Sequence, residues 1–381
     1  MKVGQLLSMD SGQILPPELS DILARLRDGA QQMPSTQVTA VLQRAWGKDW
    51  QGVFSHFGFE PVAAASIGQV HEAVLQDGRR LAVKVQYPGI RRSIDSDVDN
   101  VSALLRTFNL IPQDLNILPV LHEARSQLHA EADYTLEADS LRHFAARLAH
   151  DRRFAAPEVI ESMTTTDVLA MTYMDGQPIE ILATVSAEER DAAATALVEL
   201  ALREVFDWGL VQTDPNFANY LYQAGTGRIQ LLDFGATRTC SEAQRTSLRA
   251  LLSACLGGNE TDIEKAAARV GYLDPQDPPA YRDSIIALLL DASEPVRATG
   301  SYDFSNSGLA DRMRERLLRM RLQDKFWRLP PTGVLFLHRK LAGLYMLLTR
   351  LRANVPVHEL VSRLDAAYAQ AQTQITDALE H

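Results

Sequence analysis

The sequence predicts an α+β fold of two lobes: a small strand-bearing lobe, then a larger helical one, with a helical extension in front. Three observations predict it. The run Leu81-Ala82-Val83-Lys84-Val85-Gln86 alternates as a strand, with Leu81, Val83 and Val85 on one face. A second strand signal brackets the turn Ala224-Gly225-Thr226-Gly227, and almost everything after Asp233 carries helical periodicity. The expected boundaries are 1–50 for the extension, 51–175 for the small lobe and 176–381 for the large one.

Composition sets the outer limits. The 381 residues suffice for a large core, and 46% hydrophobic with 23% charged residues is ordinary for a water-soluble globular chain. A net charge of −10 argues against a nucleic-acid partner. Cys240 and Cys255 form no CxxC pair, so neither a disulfide framework nor a zinc site is expected. No apolar run reaches the roughly 18 residues of a membrane span, since His338, Arg339 and Lys340 interrupt the best candidate. The N-terminus lacks the layout of a signal peptide.

Taken in order, the chain opens with Lys2-Val3-Gly4-Gln5. After Pro16-Pro17, Leu19, Ile22, Leu23 and Leu26 fall on one helical stripe that Gly29 ends. A second helix is expected from Ser35 or Thr36 to about Trp46, and strands from Phe57 to Gln86. On the strand of Leu81, Lys84 reads as a solvated edge residue or as a lysine turned into a cleft. Helical periodicity runs from about Ile117 to His150 and carries Glu131, Asp133 and Glu137. The strand-like stretch 168–174 breaks at Asp175-Gly176, the expected crossover between lobes. Ser186 with Glu189 makes a capping box, and Leu197, Leu200, Ala201, Val205 and Trp208 share one face of the helix that follows, which Gly209 ends. Beyond Asp233 the one expected interruption of the helices is a loop from Ser293 to Gly308.

The chemistry-bearing residues cluster around the second strand pair. Asp214-Pro215-Asn216-Phe217-Ala218-Asn219 supplies Asp-x-x-x-x-Asn, and Leu231-Leu232-Asp233-Phe234-Gly235 supplies Asp-Phe-Gly. An antiparallel hairpin sets the residue before its first strand beside the residue after its second. Asn219 and Asp233 are therefore expected at one open end, two oxygen donors suited to a hard cation such as Mg2+ with phosphate oxygens.

Strand with lysine, helix with glutamate, crossover strand, helix, Asp-x-x-x-x-Asn, hairpin and Asp-Phe-Gly, in that order, resemble a protein-kinase-like fold. That layout implies Lys84 on the α- and β-phosphates, a glutamate holding it, Asp214 orienting or deprotonating the attacking oxygen, and Asn219 and Asp233 on the metal. Glu131 and Glu137, six apart and about 120° round a helix, cannot share a face. Glu137 is favoured for Lys84.

Departures from ordinary kinases narrow the resemblance. Ala63-Ala64-Ala65-Ser66-Ile67-Gly68-Gln69-Val70 stands in place of a glycine-rich loop. Gln212 occupies the catalytic-loop histidine position, and no Ala-Pro-Glu follows Asp233. With Lys2-x-Gly4-Gln5 and Glu131-x-Asp133, these resemble the UbiB/ADCK family of atypical kinase-like ATPases, in particular the branch supporting coenzyme Q biosynthesis.

The resemblance implies ATP or ADP with Mg2+ as cofactors. It implies nucleotide contacts at Ala63, Ala64, Ala65, Ser66, Lys84, Glu137, Tyr173 and Met174. Lys2, Gly4 and Gln5, packed against Glu131 and Asp133, are expected to occlude a peptide-substrate site. The alanines, lacking the glycine's freedom to take positive φ, are expected to grip the γ-phosphate differently and to shift selectivity towards ADP.

The implied partners are quinone-precursor lipids, an anionic membrane surface and quinone-biosynthesis proteins; the implied location is cytoplasmic of bacterial type, at most peripheral to a membrane. Family members carry a segment before the Lys-x-Gly-Gln signature. Here the signature starts at residue 2, which leaves a trimmed start and a member without that segment both open.

Two other readings stand beside this one: a small-molecule phosphotransferase, and a nucleotide-binding pseudokinase serving as lipid-binding chaperone or scaffold. Separately, the basic residues Arg312, Arg314, Arg316, Arg319, Arg321, Lys325 and Arg328, with Met313, Leu317, Met320 and Trp327 opposite, are expected either to dock on anionic lipid or to form the solvated face of a core helix.

Overall fold

The computed structural model describes residues 32–65, 67–107, 118–214, 216–324, 326 and 330–380. The Lys2, Gly4 and Gln5 signature, the helix expected over 19–26, and Ser66, Lys325, Trp327 and Arg328 lie outside them. The chain divides into two compact units, Met1–Ile179 with Asn216–Thr237, and Glu180–Pro215 with Arg238–His381. The hairpin that carries Asn219 and Asp233 thus belongs with the N-terminal sheet, whereas the sequence reading grouped it with the helical lobe.

In the first unit, helix α1 (Ser35–Trp46) begins at the first of the two residues the sequence offers as its start. It precedes strands β1 (Phe54–Ala65), β2 (Gly68–Leu75) and β3 (Arg80–Gln86). Helices α2 (Ile90–Thr107), α3 (Leu118–Glu131) and α4 (Tyr134–Leu148) follow, then the two-residue strand β4 (Phe154–Ala155) and β5 (Val168–Thr172). One antiparallel sheet has the order β1-β2-β3-β5, so β3 is internal and its backbone pairs on both sides.

Leu81, Val83 and Val85 pack with Val38, Val41 and Leu42 of α1, and Trp50 and Phe54 extend that core. On the other face of β3, the Gln86 amide donates to the Ala132 carbonyl at 3.0 Å and Lys84 meets α4. Both faces being covered, Lys84 is 4% exposed, which rules out the solvated-edge reading.

The helical stretch expected from Ile117 to His150 is two helices. The first ends at Glu131, and Asp133 caps the second, accepting from the Thr135 amide at 3.0 Å. Arg91 fixes the break by donating to the Ala132 carbonyl at 2.7 Å. The first unit also holds β6 (Gln177–Pro178), β7 (Tyr220–Gln223) and β8 (Arg228–Leu231), in a second sheet ordered β4-β8-β7-β6. β7 and β8 are antiparallel, Tyr220 opposite Leu231, around the expected turn, where Gly227 takes φ 69°.

The second unit is mostly helical. Ser186 accepts from the Glu189 amide at 3.2 Å and starts α5 (Ala187–Arg203). The last turn then widens into a π-helical segment, Glu204–Trp208, capped by Gly209 at φ 58°. Helices α6 (Glu242–Gly257), α7 (Glu260–Val270), α8 (Pro279–Ala292), α9 (Leu309–Leu322), α10 (Thr332–Leu351) and α11 (Val357–Glu380) complete it. The 293–308 stretch is more ordered than a plain loop: it holds a helical turn, Glu294–Arg297, and Tyr302 and Asp303 pair with Val355 and Asn354.

On α9, Met320 is buried, and Arg314 and Arg316 pair with Asp311 and Asp291 at 3.1 and 2.6 Å. Arg312 pairs with Glu294. Three of its arginines therefore already face carboxylates, as on the solvated side of a core helix.

Gly68 marks a close approach. A Cβ there would fall 2.2 Å from the Val85 carbonyl oxygen and 2.8 Å from the Tyr134 hydroxyl. Gly68→Ala is expected to cost about 1–3 kcal/mol of stability by overpacking, read from urea denaturation; a midpoint equal to wild type would refute this account of the β2–β3 spacing.

In the second unit His338 Nε2 lies 2.6 Å from the Tyr272 hydroxyl, with the rings stacked 5.8 Å apart. Burial lowers the imidazole from 6.5 to about 4. The folded chain therefore keeps His338 neutral where the unfolded chain protonates it. This contribution is complete above the unfolded value and is lost as pH falls from 6.5 towards 4. The expected loss is about 1–3 kcal/mol, allowing for partial exposure. Denaturation across that range should show a flatter profile for His338→Gln, which keeps an acceptor for Tyr272; parallel profiles would contradict it.

Candidate functional site

The first unit brings together Lys84, Glu137 and Asp233, from three elements distant in sequence. β3 directs Lys84 away from the apolar face that α1 covers. Its ammonium donates to Glu137 Oε1 at 2.5 Å and to Asp233 Oδ2 at 3.0 Å. α4 buries a stripe of Tyr134, Glu137, Ala138, Leu141 and Phe144, spaced as one helical face, and Glu137 is the one acid in it. The Phe234 ring packs on Phe144, centroids 4.9 Å apart, and its amide donates to Glu137 Oε1 at 3.4 Å. The Gly235 amide donates to Asp233 Oδ1 at 3.0 Å, closing a turn on the carboxylate.

Charge explains the arrangement. Burial alone would lower the pKa of Lys84, but the Asp233 and Glu137 carboxylates outweigh it and hold the ammonium above the ordinary lysine value. Burial raises Glu137, against the pull of Lys84. Two carboxylates on one lysine leave a net negative site, and Asp233 keeps 23% of its side chain exposed. Asn219 sits at the open end of the hairpin, where its carbonyl accepts from the Leu232 amide at 3.0 Å. Asn219 and Asp233 are oxygen donors of the kind a divalent hard cation takes, and the surplus negative charge fits one.

The other expected residues divide. Ala63, Ala64 and Ala65 are not a loop. They finish β1 in register with Val70, Gln69 and Gly68. Among the described residues Arg352 is the one non-glycine at positive φ, so these alanines avoid the left-handed conformation that would strain them. The sequence expectation of a loop at Ala63, Ala64 and Ala65 is corrected accordingly.

Tyr173 and Met174 follow β5 and are half-buried; the Tyr173 amide donates to the Arg80 carbonyl at 3.0 Å, and the Arg80 guanidinium lies 4.2 Å from its ring centroid. Glu131 is buried and accepts from Gln127 Nε2 at 3.0 Å. It ends α3 while Glu137 lies on α4. The angular argument for one continuous helix therefore does not apply, although its favoured outcome, Glu137 on Lys84, is the one observed. Asp214 belongs to the second unit, where Gln212 Nε2 donates to its carbonyl at 3.2 Å.

Sequence reasoning missed Tyr134, a buried hydroxyl with no hydrogen-bond partner among the described residues. Its spacing of three from Glu137, on the same helix face, was an available signal. It also missed Arg91 and Gln86, for which no local pattern points to the Ala132 carbonyl.

An internal-strand lysine held by a helix glutamate and by the aspartate of Asp-Phe-Gly defines a protein-kinase-like domain. Residues 25–267 match the model of the ABC1 atypical kinase-like domain. The chain is 36% identical to the mitochondrial atypical kinase COQ8 of Saccharomyces cerevisiae, covering 96% of this chain and 73% of that protein. It is 37% identical to the mitochondrial atypical kinase COQ8B of Rattus norvegicus, over 94% and 68% of the two. Among solved structures, Rv3197 of Mycobacterium tuberculosis, determined with erythromycin, superposes with a TM-score of 0.65 at 26% identity, covering 94% of this chain and 90% of that one. The chain belongs to the ABC1 (UbiB/ADCK) family of atypical kinases. No helix among the described residues is long and apolar enough to cross a membrane.

Removing Lys84 strands two carboxylates, one fully buried. Lys84→Met is expected to cost about 3–5 kcal/mol, and adding Glu137→Gln to recover most of it, because Asp233 reaches solvent. Equal destabilisation of the single and double variants in chemical denaturation would mean that the ion pair is not what the substitution breaks.

Proposed function

We propose that this chain is an ATP-dependent atypical kinase acting as an ATPase in support of ubiquinone biosynthesis. The observation that carries the reading is Lys84, buried on β3 and bridging Glu137 and Asp233. A lysine so held presents a fixed positive charge for the α- and β-phosphates of ATP. Ala63, Ala64, Ala65, Ser66, Tyr173 and Met174 would line the nucleotide. Asn219 and Asp233 would hold Mg2+, which supplies charge neutralisation for the phosphates when bound. Asp214 orients or deprotonates the attacking oxygen.

Lys2, Gly4 and Gln5, with Glu131 and Asp133, would close the peptide-substrate site, directing turnover to water or a small acceptor. The relatives named as mitochondrial atypical kinases of the COQ8 group support the quinone assignment. Quinone-precursor lipids, anionic membrane and quinone-biosynthesis proteins are the partners this function requires.

The test is ATP hydrolysis by the full chain, with and without anionic phospholipid vesicles and a quinone-like phenol. Vesicles and phenol are expected to stimulate turnover, and Asp233→Asn to lower it by about 100-fold or more, as for loss of a charge-stabilising group. Stoichiometric phosphate transfer to the phenol would replace the ATPase reading with a small-molecule phosphotransferase, and nucleotide binding without turnover would replace it with a pseudokinase scaffold.

A further inference from the structure

The second unit contains a buried ion pair that the nucleotide site does not use. Glu204 is 1% and Lys340 5% exposed. The Lys340 ammonium donates to Oε1 at 3.0 Å and lies 2.9 Å from Oε2. Oε2 also accepts from the backbone amide of Gln212 at 3.0 Å. Gln212 in turn donates from Nε2 to the Asp214 carbonyl at 3.2 Å. Hydrogen bonds therefore link α10 through Glu204 to the Gln212 backbone, and the Gln212 side chain reaches on to the carbonyl of Asp214.

The local fold is arranged around this contact. Glu204 opens the π-helical segment Glu204–Trp208, and such one-turn widenings shift the side chains that follow relative to a regular helix. Arg249 and Arg245 donate to the Phe206 carbonyl at 3.0 and 3.3 Å, and Arg245 to that of Asp207 at 3.2 Å, so two carbonyls of this segment are satisfied from α6. Gly209 then reverses the chain into the short strand Leu210–Gln212.

A buried ion pair contributes little net stability against apolar side chains of the same volume, because desolvation offsets the attraction. What this pair supplies instead is a fixed, charge-assisted acceptor for one particular backbone amide, two residues before Asp214.

We propose that Glu204 and Lys340 are positioning residues that set the backbone from Gln212 to Asp214 and thereby the aim of the Asp214 carboxylate. This rests on the reading of Asp214 as the residue that orients or deprotonates the attacking oxygen. Gln212 stands where ordinary kinases carry a histidine, and in this chain it is the relay between the ion pair and Asp214.

The experiment is steady-state hydrolysis of MgATP by the full chain. Glu204→Leu with Lys340→Met removes the charge pair and the acceptor together. It is expected to melt near wild type while kcat falls by about tenfold or more, with KM for ATP changed less than about twofold. Glu204→Gln with Lys340→Met keeps an acceptor oxygen for the Gln212 amide, and kcat should return to within about threefold of wild type. Equal kcat in the two double variants overturns the proposal. Should the Leu/Met variant lose its cooperative melt, Gln212→Ala, which cuts the link to the Asp214 carbonyl, takes its place: a lowered kcat at unchanged KM supports the relay, and an unchanged kcat overturns it. Asp214→Asn separates the two levels. If it turns over like wild type, the role of Asp214 and this proposal fall together. If it is inactive while the Leu/Met variant keeps full kcat, the positioning role alone is wrong.

Discussion

The first unit is built around one buried ammonium. Lys84 reaches Glu137 and Asp233 through hydrogen bonds that join an internal strand, a helix and the end of a hairpin. In a low-dielectric setting a lone charge is expensive, so each partner is required by the others: the lysine needs the carboxylates, and Glu137 needs the lysine. Three elements far apart in sequence are thereby held in one arrangement. The packing of Phe234 on Phe144 adds an apolar brace beside the charges.

That arrangement depends on β3 being covered twice. α1 supplies the apolar cover for Leu81, Val83 and Val85, and α4 lies over the face of Lys84. The break between α3 and α4, made by the Asp133 cap and held by Arg91 and Gln86 on the Ala132 carbonyl, lets α4 set out in its own direction. The acidic motif containing Glu131 and Asp133 has a structural duty here, whatever else it contacts. The second unit follows a similar rule with Glu204 and Lys340, where the carboxylate holds a backbone amide beside the ammonium.

Much of this was legible in the residues. α1 begins at Ser35 and ends at Trp46 as its pattern indicates. The hairpin turns where two glycines punctuate alternating strands, and Asn219 and Asp233 flank it as the antiparallel register requires. Other features were not. Alternation leaves Lys84 open between a solvated edge and a cleft, because it reports two faces of a strand without saying what covers either. The alanine stretch read as a loop because a glycine-rich loop is what kinases place there, whereas Ala63, Ala64 and Ala65 simply continue the ladder of β1.

The sequence by itself determined the kinds of element, their order and the motifs that carry Lys84, Glu137 and Asp233. Periodicity, caps and turn residues act over a few positions, and so they can be read locally. Tertiary structure alone decided which glutamate meets Lys84, where α3 yields to α4, and that Glu204 meets Lys340 across 136 residues of chain. Those outcomes come from covering both faces of a strand and from neutralising buried charge. Such constraints act between surfaces distant in sequence and leave no period in the chain.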